Sequence, residues 1–348
     1  VRGDDLAIRS IVDEVVGELT RRGASGEAAG APPAFDGRGI VADVDAAVSA
    51  AGRSFGEYDE TPLERRREIV LAMRRAALES AERLSRLALE ETGLGRYEDK
   101  VLKNRLTAEK TPGPEDLAPI AYSGDHGLTL IERAPYGVIG SITPSTNPSE
   151  TIVGNAIAMV AGGNTVVFNP HPAARVTSLT TIDVLNRAIA EAGGPHALLY
   201  AVEAPTIETA QSLMAHPGVR LLVVTGGPGV VRAAMQSGKK VIAAGPGNPP
   251  VVVDETADIE RAARDIIAGA TLDNNIVCIA EKAIVAVRAI APRLRSALAD
   301  AGAVELGPQA AERVTRVVIE EDAGAGRSST LNRALVGKDV AIILAEAG

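Results

Sequence analysis

The sequence predicts an α/β fold built on a parallel sheet with helices on both faces, and three observations carry that prediction. Between Tyr136 and Gly247, short runs of aliphatic and β-branched residues alternate with segments of helical periodicity. The runs end in turns rich in Gly, Pro, Ser, Thr and Asn, which let the backbone reverse sharply or offer hydrogen bonds. Composition agrees: 46% hydrophobic and 23% charged residues over 348 positions suit a globular chain with an ample core and more than one domain.

In chain order, residues 1–21 read as an amphipathic helix. Ile8, Ile11, Val12, Val15, Val16 and Leu19 form one apolar stripe, while Arg9, Asp13, Glu14, Glu18 and Arg21 take other faces. Residues 22–39 are a flexible linker of Gly, Ala and Pro without periodicity, so the stripe is expected to dock on a partner protein. From Ile40 to about Pro112 the pattern is helical. Thr61, Pro62 and Glu64 supply an N-cap, a first-position proline and a first-turn acid, and Gly93 stands where a helix stops. The arginines at 65–67, 74 and 75 interleave with Glu64, Glu68 and Glu79, which marks a solvated helix face. Leu117 to Arg133 alternates and carries β-formers, so an exposed strand or hairpin is expected there.

The alternating region gives five strands, at residues 137–142, 165–168, 197–202, 220–225 and 240–244. Helices are expected at residues 150–161, 177–192, 206–215 and 229–236, with a further strand at Val251 to Val253. In such a sheet ligands bind at the carboxyl ends of the strands, which singles out three turns. Thr143, Pro144, Ser145, Thr146 and Asn147 follow the first strand with fixed backbone and hydrogen-bonding side chains. Thr225, Gly226 and Gly227 end the fourth strand just before a helix, where free amides can meet a pyrophosphate. Gly245 opens the rigid GPGNPP crossing after the fifth. None of these is the GxGxxG fingerprint, and TGGPG by itself is equally readable as a tight βα turn.

Cys278, in DNNIVCIAEK, is the only cysteine, so it is either a nucleophile or a small buried apolar residue. A net charge of −9 and a pI near 5.2 exclude a general nucleic-acid binder, which needs a basic face. No stretch reaches the roughly 18 to 20 apolar residues of a membrane span, and no signal-peptide core opens the chain, so a cytoplasmic location is expected.

Taken in order, RAPYGVIGSITPSTNP, GGNTVVFNPHP, VTGGPG, GPGNPPVVVDETADIE and DNNIVCIAEK resemble the aldehyde dehydrogenase superfamily. Within it the sequence looks most like the CoA-acylating branch, and there like the enzymes that oxidise propionaldehyde or acetaldehyde in bacterial microcompartments. The resemblance implies a parallel Rossmann-type domain binding NAD and coenzyme A at residues 40–116 and 134–247, and an oligomerisation hairpin at 117–133. The N-terminal part of an α/β catalytic domain would fill 248–348. It further implies that the N-terminal helix docks on a microcompartment shell protein and that the full-length protein is a homo-oligomer.

The resemblance also assigns roles. Cys278 would form a thioester with a short aliphatic aldehyde during NAD-dependent oxidation and pass the acyl group to coenzyme A. Asn147, or Thr146 in a gapless alignment, would donate to the oxyanion. Thr143, Pro144, Ser145, Asn169, His171, Thr225, Gly226, Gly227 and Gly245 would line the cofactor site, with Asn169 and His171 alternatively serving only as a turn; no metal is expected. The general-base glutamate of hydrolytic members would fall near Ala243 and Ala244, where no carboxylate stands. Only 70 residues follow Cys278, and the first residue is Val1, so a fragment or a truncated chain is expected. The alternatives are a non-acylating semialdehyde dehydrogenase and an inactive NAD-binding or shell-docking protein.

Overall fold

The computed structural model describes residues 37–321 and 329–347. The helix expected at 1–21 and nearly all of the linker at 22–39 lie outside the described residues. By internal contacts the chain forms two compact units. One comprises the described residues up to Leu84 with Asn104–Gly245, the other Ser85–Lys103 with the described residues from Pro246 onward.

The first unit opens with a two-residue strand, β1 (Ile40–Val41), and helix α1 (Val44–Asp59). The Asp43 side chain accepts from the Ala46 amide at 2.8 Å, filling one of the open donors of α1. Val44, Ala47, Val48, Ala51 and Tyr58 then form its buried stripe. Helices α2 (Leu63–Thr92) and α3 (Tyr97–Lys110) follow, then a hairpin of β2 (Ile120–Gly124) and β3 (Gly127–Ile131), antiparallel and exposed at every residue.

Next come β4 (Val138–Thr143), α4 (Pro148–Ala161), β5 (Thr165–Pro170), α5 (Arg175–Glu191) and β6 (Leu199–Val202). After them lie α6 (Ile207–Ala215), β7 (Leu221–Thr225), α7 (Pro228–Met235) and β8 (Lys240–Ala244). The six-stranded sheet is parallel throughout, in the order β1-β6-β5-β4-β7-β8. Every residue of β4, β5 and β6 is buried, which is why these strands are mostly apolar without a polar face. Side-chain alternation feeds two cores: Val166 and Phe168 pack with Tyr58, Ile69, Met73 and Ile157, while Val167 packs with Val48, Ile142, Leu213 and Leu222.

One expectation is corrected here. Ile40 and Val41 are strand, because pairing with Ala201 and Val202 on the sheet edge overrides the helical pattern that follows, so the sheet has six strands instead of five. Ser85–Lys103 clusters with the second unit, within which Lys100 and Lys103 form a buried ion pair with Asp273.

In the second unit, β9 (Pro250–Val253) pairs in parallel with β10 (Ala283–Ala286), and α8 (Ile259–Thr271) connects them with the turn that carries Cys278. Helices α9 (Ala291–Asp300) and α10 (Pro308–Val318) follow, then β11 (Ile319–Glu321) paired with β12 (Ser329–Leu331), and α11 (Val340–Ala347). Its small core is Val253, Ile259, Ala263, Ile266 and Leu294.

Candidate active site

In the first unit, the chain leaves β4 toward β5 on one side of the sheet and β7 toward β8 on the other, so the crevice of the sheet lies at the carboxyl ends of β4 and β7. Most of the cofactor-site residues expected from the sequence end these neighbouring strands. Thr143 closes β4, and its Oγ1 is buried without a hydrogen-bond partner among the described residues, which costs about 1 to 3 kcal/mol if nothing else satisfies it. Pro144, Ser145, Thr146 and Asn147 follow, each half-buried. Asn147 is the N-cap residue of α4, but its side chain does not cap the helix; Nδ2 donates to Thr146 Oγ1 at 3.2 Å. The two residues between which the oxyanion assignment lay are therefore bonded to each other.

At the end of β7, the Gly226 amide donates to Ala244 O at 3.1 Å, and Gly227 is the N-cap of α7. No side chain caps that helix, so its first amides remain available to an anion. Gly245 follows β8 with open space where a Cβ would stand. Ala243 and Ala244 end β8 beside Val224 and Thr225, and no carboxylate occupies that strand end. An orphaned hydroxyl beside an uncapped, glycine-led helix start at the switch point fits a dinucleotide.

Asn169 and His171, at the end of β5, are engaged locally. Asn169 Nδ2 donates to Thr206 O at 3.3 Å, and Thr209 Oγ1 donates to Asn169 Oδ1 at 2.6 Å, locking the β6–α6 turn. His171 Nδ1 accepts from the Ala173 amide at 3.1 Å and so caps the short turn at Pro172–Ala174.

Cys278 belongs to the second unit and is partly exposed with a free thiol. The approach to it is unusual: Asp273, Asn274 and Asn275 have φ of 50, 53 and 59°, three successive left-handed residues without a glycine. Each costs on the order of 1 kcal/mol, least for Asp and Asn. Side chains hold the run. Asp273 is fully buried and accepts from Lys100 Nζ at 3.1 Å, Lys103 Nζ at 2.5 Å and the Arg96 amide at 2.6 Å. Asn274 Nδ2 donates to Gly337 O at 3.0 Å, and Asn275 Nδ2 to Ala270 O at 2.5 Å and Glu281 O at 3.2 Å.

Beyond the cysteine, Lys282 Nζ donates to Val277 O at 2.9 Å and Ala280 O at 3.2 Å. Behind it, a Cβ on Gly247 would overlap the Cys278 carbonyl, so only glycine fits there. The thiol thus sits on a turn fixed at both ends. Sequence reasoning did not find Asp273, Lys100, Lys103, Asn275 or Lys282. The DNN run was the available signal, since Asp and Asn are the residues that tolerate left-handed backbone, but nothing local identifies lysines 170 and 173 positions from Asp273.

Residues 37–321 match the model of the aldehyde dehydrogenase family. The acetaldehyde dehydrogenase (acetylating) of Bilophila wadsworthia is 53% identical over 81% of this chain and 59% of its own length, so the chain spans about three fifths of that relative. A propionaldehyde dehydrogenase from the Clostridium phytofermentans fucose utilisation bacterial microcompartment superposes with a TM-score of 0.81 at 48% identity, covering 89% of this chain and 70% of that one. The Rhodopseudomonas palustris propionaldehyde dehydrogenase, solved with bound CoA and an acylated cysteine, gives a TM-score of 0.82 at 47% identity over 89% of this chain and 70% of its own.

Proposed function

The chain belongs to the aldehyde dehydrogenase family, and from that premise we propose that it oxidises a short aliphatic aldehyde, propionaldehyde or acetaldehyde, to the acyl-CoA. The observation that carries the reading is the sole cysteine, partly exposed on a turn pinned from both sides. Cys278 Sγ adds to the aldehyde carbonyl carbon; loss of hydride from that carbon leaves a thioester; the coenzyme A thiol adds, and the bond to Sγ breaks to restore the free cysteine. When bound, NAD supplies the hydride acceptor. Thr143 Oγ1 and the first amides of α7 are the donors to hold it, with Pro144, Ser145, Thr225, Gly226, Gly227 and Gly245 shaping the backbone around them. Asn147, bonded to Thr146, is assigned the oxyanion by the family resemblance.

Acyl transfer is favoured over hydrolysis because β8 ends in Ala243 and Ala244, leaving water without the base it needs, whereas a thiol is the better nucleophile. The relatives named as acetylating, or solved with CoA on an acylated cysteine, support the same choice. We further place the protein inside a bacterial microcompartment, with residues 1–21 docking on the shell and the β2–β3 hairpin joining subunits. The support is a microcompartment relative at 48% identity and a hairpin exposed at every residue. Among the described residues no helix is long and apolar enough to cross a membrane.

The test is NADH formation from propionaldehyde and NAD, with and without coenzyme A, with Cys278→Ala as the blank. NADH that requires coenzyme A and disappears in the blank supports acyl transfer. NADH independent of coenzyme A points to the hydrolytic reading, and its absence under all conditions sinks the assignment for this chain.

A further inference from the structure

We propose that Asp273 is a positioning residue for the nucleophile: its buried carboxylate holds the left-handed turn that presents Cys278. The inference deepens the function proposed above and rests on it for the reaction, though not for the geometry. Three successive left-handed residues without glycine are not self-sustaining, because each would relax to right-handed or extended backbone if released. What prevents relaxation is concentrated on one residue. Asp273 is 0% exposed and takes three donors, Lys100 Nζ, Lys103 Nζ and the Arg96 amide, while its own amide donates to Asp99 Oδ2 at 2.9 Å. Lys100 and Lys103, three apart on α3, share one helix face.

The fit around the carboxylate is specific. Gly95, at φ 77°, lies so close that a Cβ there would overlap the Asp273 carboxyl group. At the other end of the run, Asn275 bridges to Ala270 O and Glu281 O, one residue before Cys278's turn begins and one after it ends. Anchored at 273 and bridged across 275 to 281, the chain between has one course, and Cys278 lies on it. A buried carboxylate with two ammonium groups is a weak stabiliser compared with apolar packing of the same volume. Its charge-assisted hydrogen bonds are directional, and direction is what a nucleophile requires, since displacement by an ångström can cost two orders of magnitude in rate.

Two variants and two measurements test this. Asp273→Asn keeps size and tolerance of left-handed backbone while removing the charge. It is expected to lower the CoA-dependent kcat about 100-fold while KM for propionaldehyde stays within about threefold. The triple variant Asp273→Asn, Lys100→Met, Lys103→Met leaves no ammonium group deprived of its carboxylate, and so separates positioning from stability. It should melt within about 5 °C of the wild type yet remain at least about 30-fold slower. The second measurement is the rate at which iodoacetamide labels Cys278, read by intact mass, and both variants should differ from wild type by at least about fivefold. Full kcat in the triple variant, or unchanged labelling in both, overturns the proposal. If the wild type shows no turnover while labelling responds to Asp273, the reaction assignment fails and the positioning role stands.

Discussion

Thr143 is one of several buried side chains whose oxygen has no hydrogen-bond partner among the described residues, and it is the one that ends β4. Thr143→Val keeps the shape and removes the orphaned oxygen, so it is expected to leave stability unchanged or slightly higher. The same change should weaken NAD binding about tenfold, the worth of one hydrogen bond, as measured by calorimetric titration. Unchanged affinity would remove Thr143 from the cofactor site. At this scale the sequence was legible where a residue type is rare or chemically singular. Cys278 stood out as the only thiol, and Ala243 and Ala244 as an absence of charge at a strand end. It was illegible where a side chain meets a distant partner: the bonds of Asn169 to Thr206 and Thr209 are invisible in the sequence.

Among elements, the β2–β3 hairpin was readable from alternation alone, and its strands fall within the expected stretch. Tyr122, Leu128 and Leu130 are 62, 71 and 57% exposed, an apolar surface of the kind that marks an interaction site. Replacing Leu128 and Leu130 by glutamate is therefore expected to shift the mass seen by light scattering to a smaller species while NAD affinity stays within about twofold. An unchanged mass would mean the hairpin does not join subunits. β4, β5 and β6 were legible because fully buried parallel strands are mostly apolar, while β7 and β8, less buried, were legible from their aliphatic residues; the helices between follow a different period. β1 was missed because two residues carry no periodicity, and only pairing with β6 makes them a strand.

For the molecule as a whole, Tyr58 ties α1 to α4 through the core and gives stability an alkaline limit. It is fully buried, its hydroxyl donates to Val160 O at 3.1 Å, and burial raises its pKa above the usual 10, with Arg66 opposing. A folded value above the unfolded one means that the contribution is complete below pH 10 and is lost as pH rises past 10 toward the folded value. Urea midpoints followed by circular dichroism should fall above pH 10, by up to about 1.4 kcal/mol per pH unit from this group. Tyr58→Phe should give a shallower slope, with Tyr200, which burial also raises, still contributing; equal slopes would show that Tyr58 does not titrate in unfolding. The sequence by itself determined the α/β class, the succession of strands and helices from β4 to β8 and the one thiol, because periodicity and residue type are local properties. Strand order, the crevice between β4 and β7, and the capture of Asp273 by Lys100 and Lys103 were decided only by tertiary structure. Each joins residues that the chain keeps far apart, and burial alone makes such charges and orphaned hydroxyls costly enough to matter.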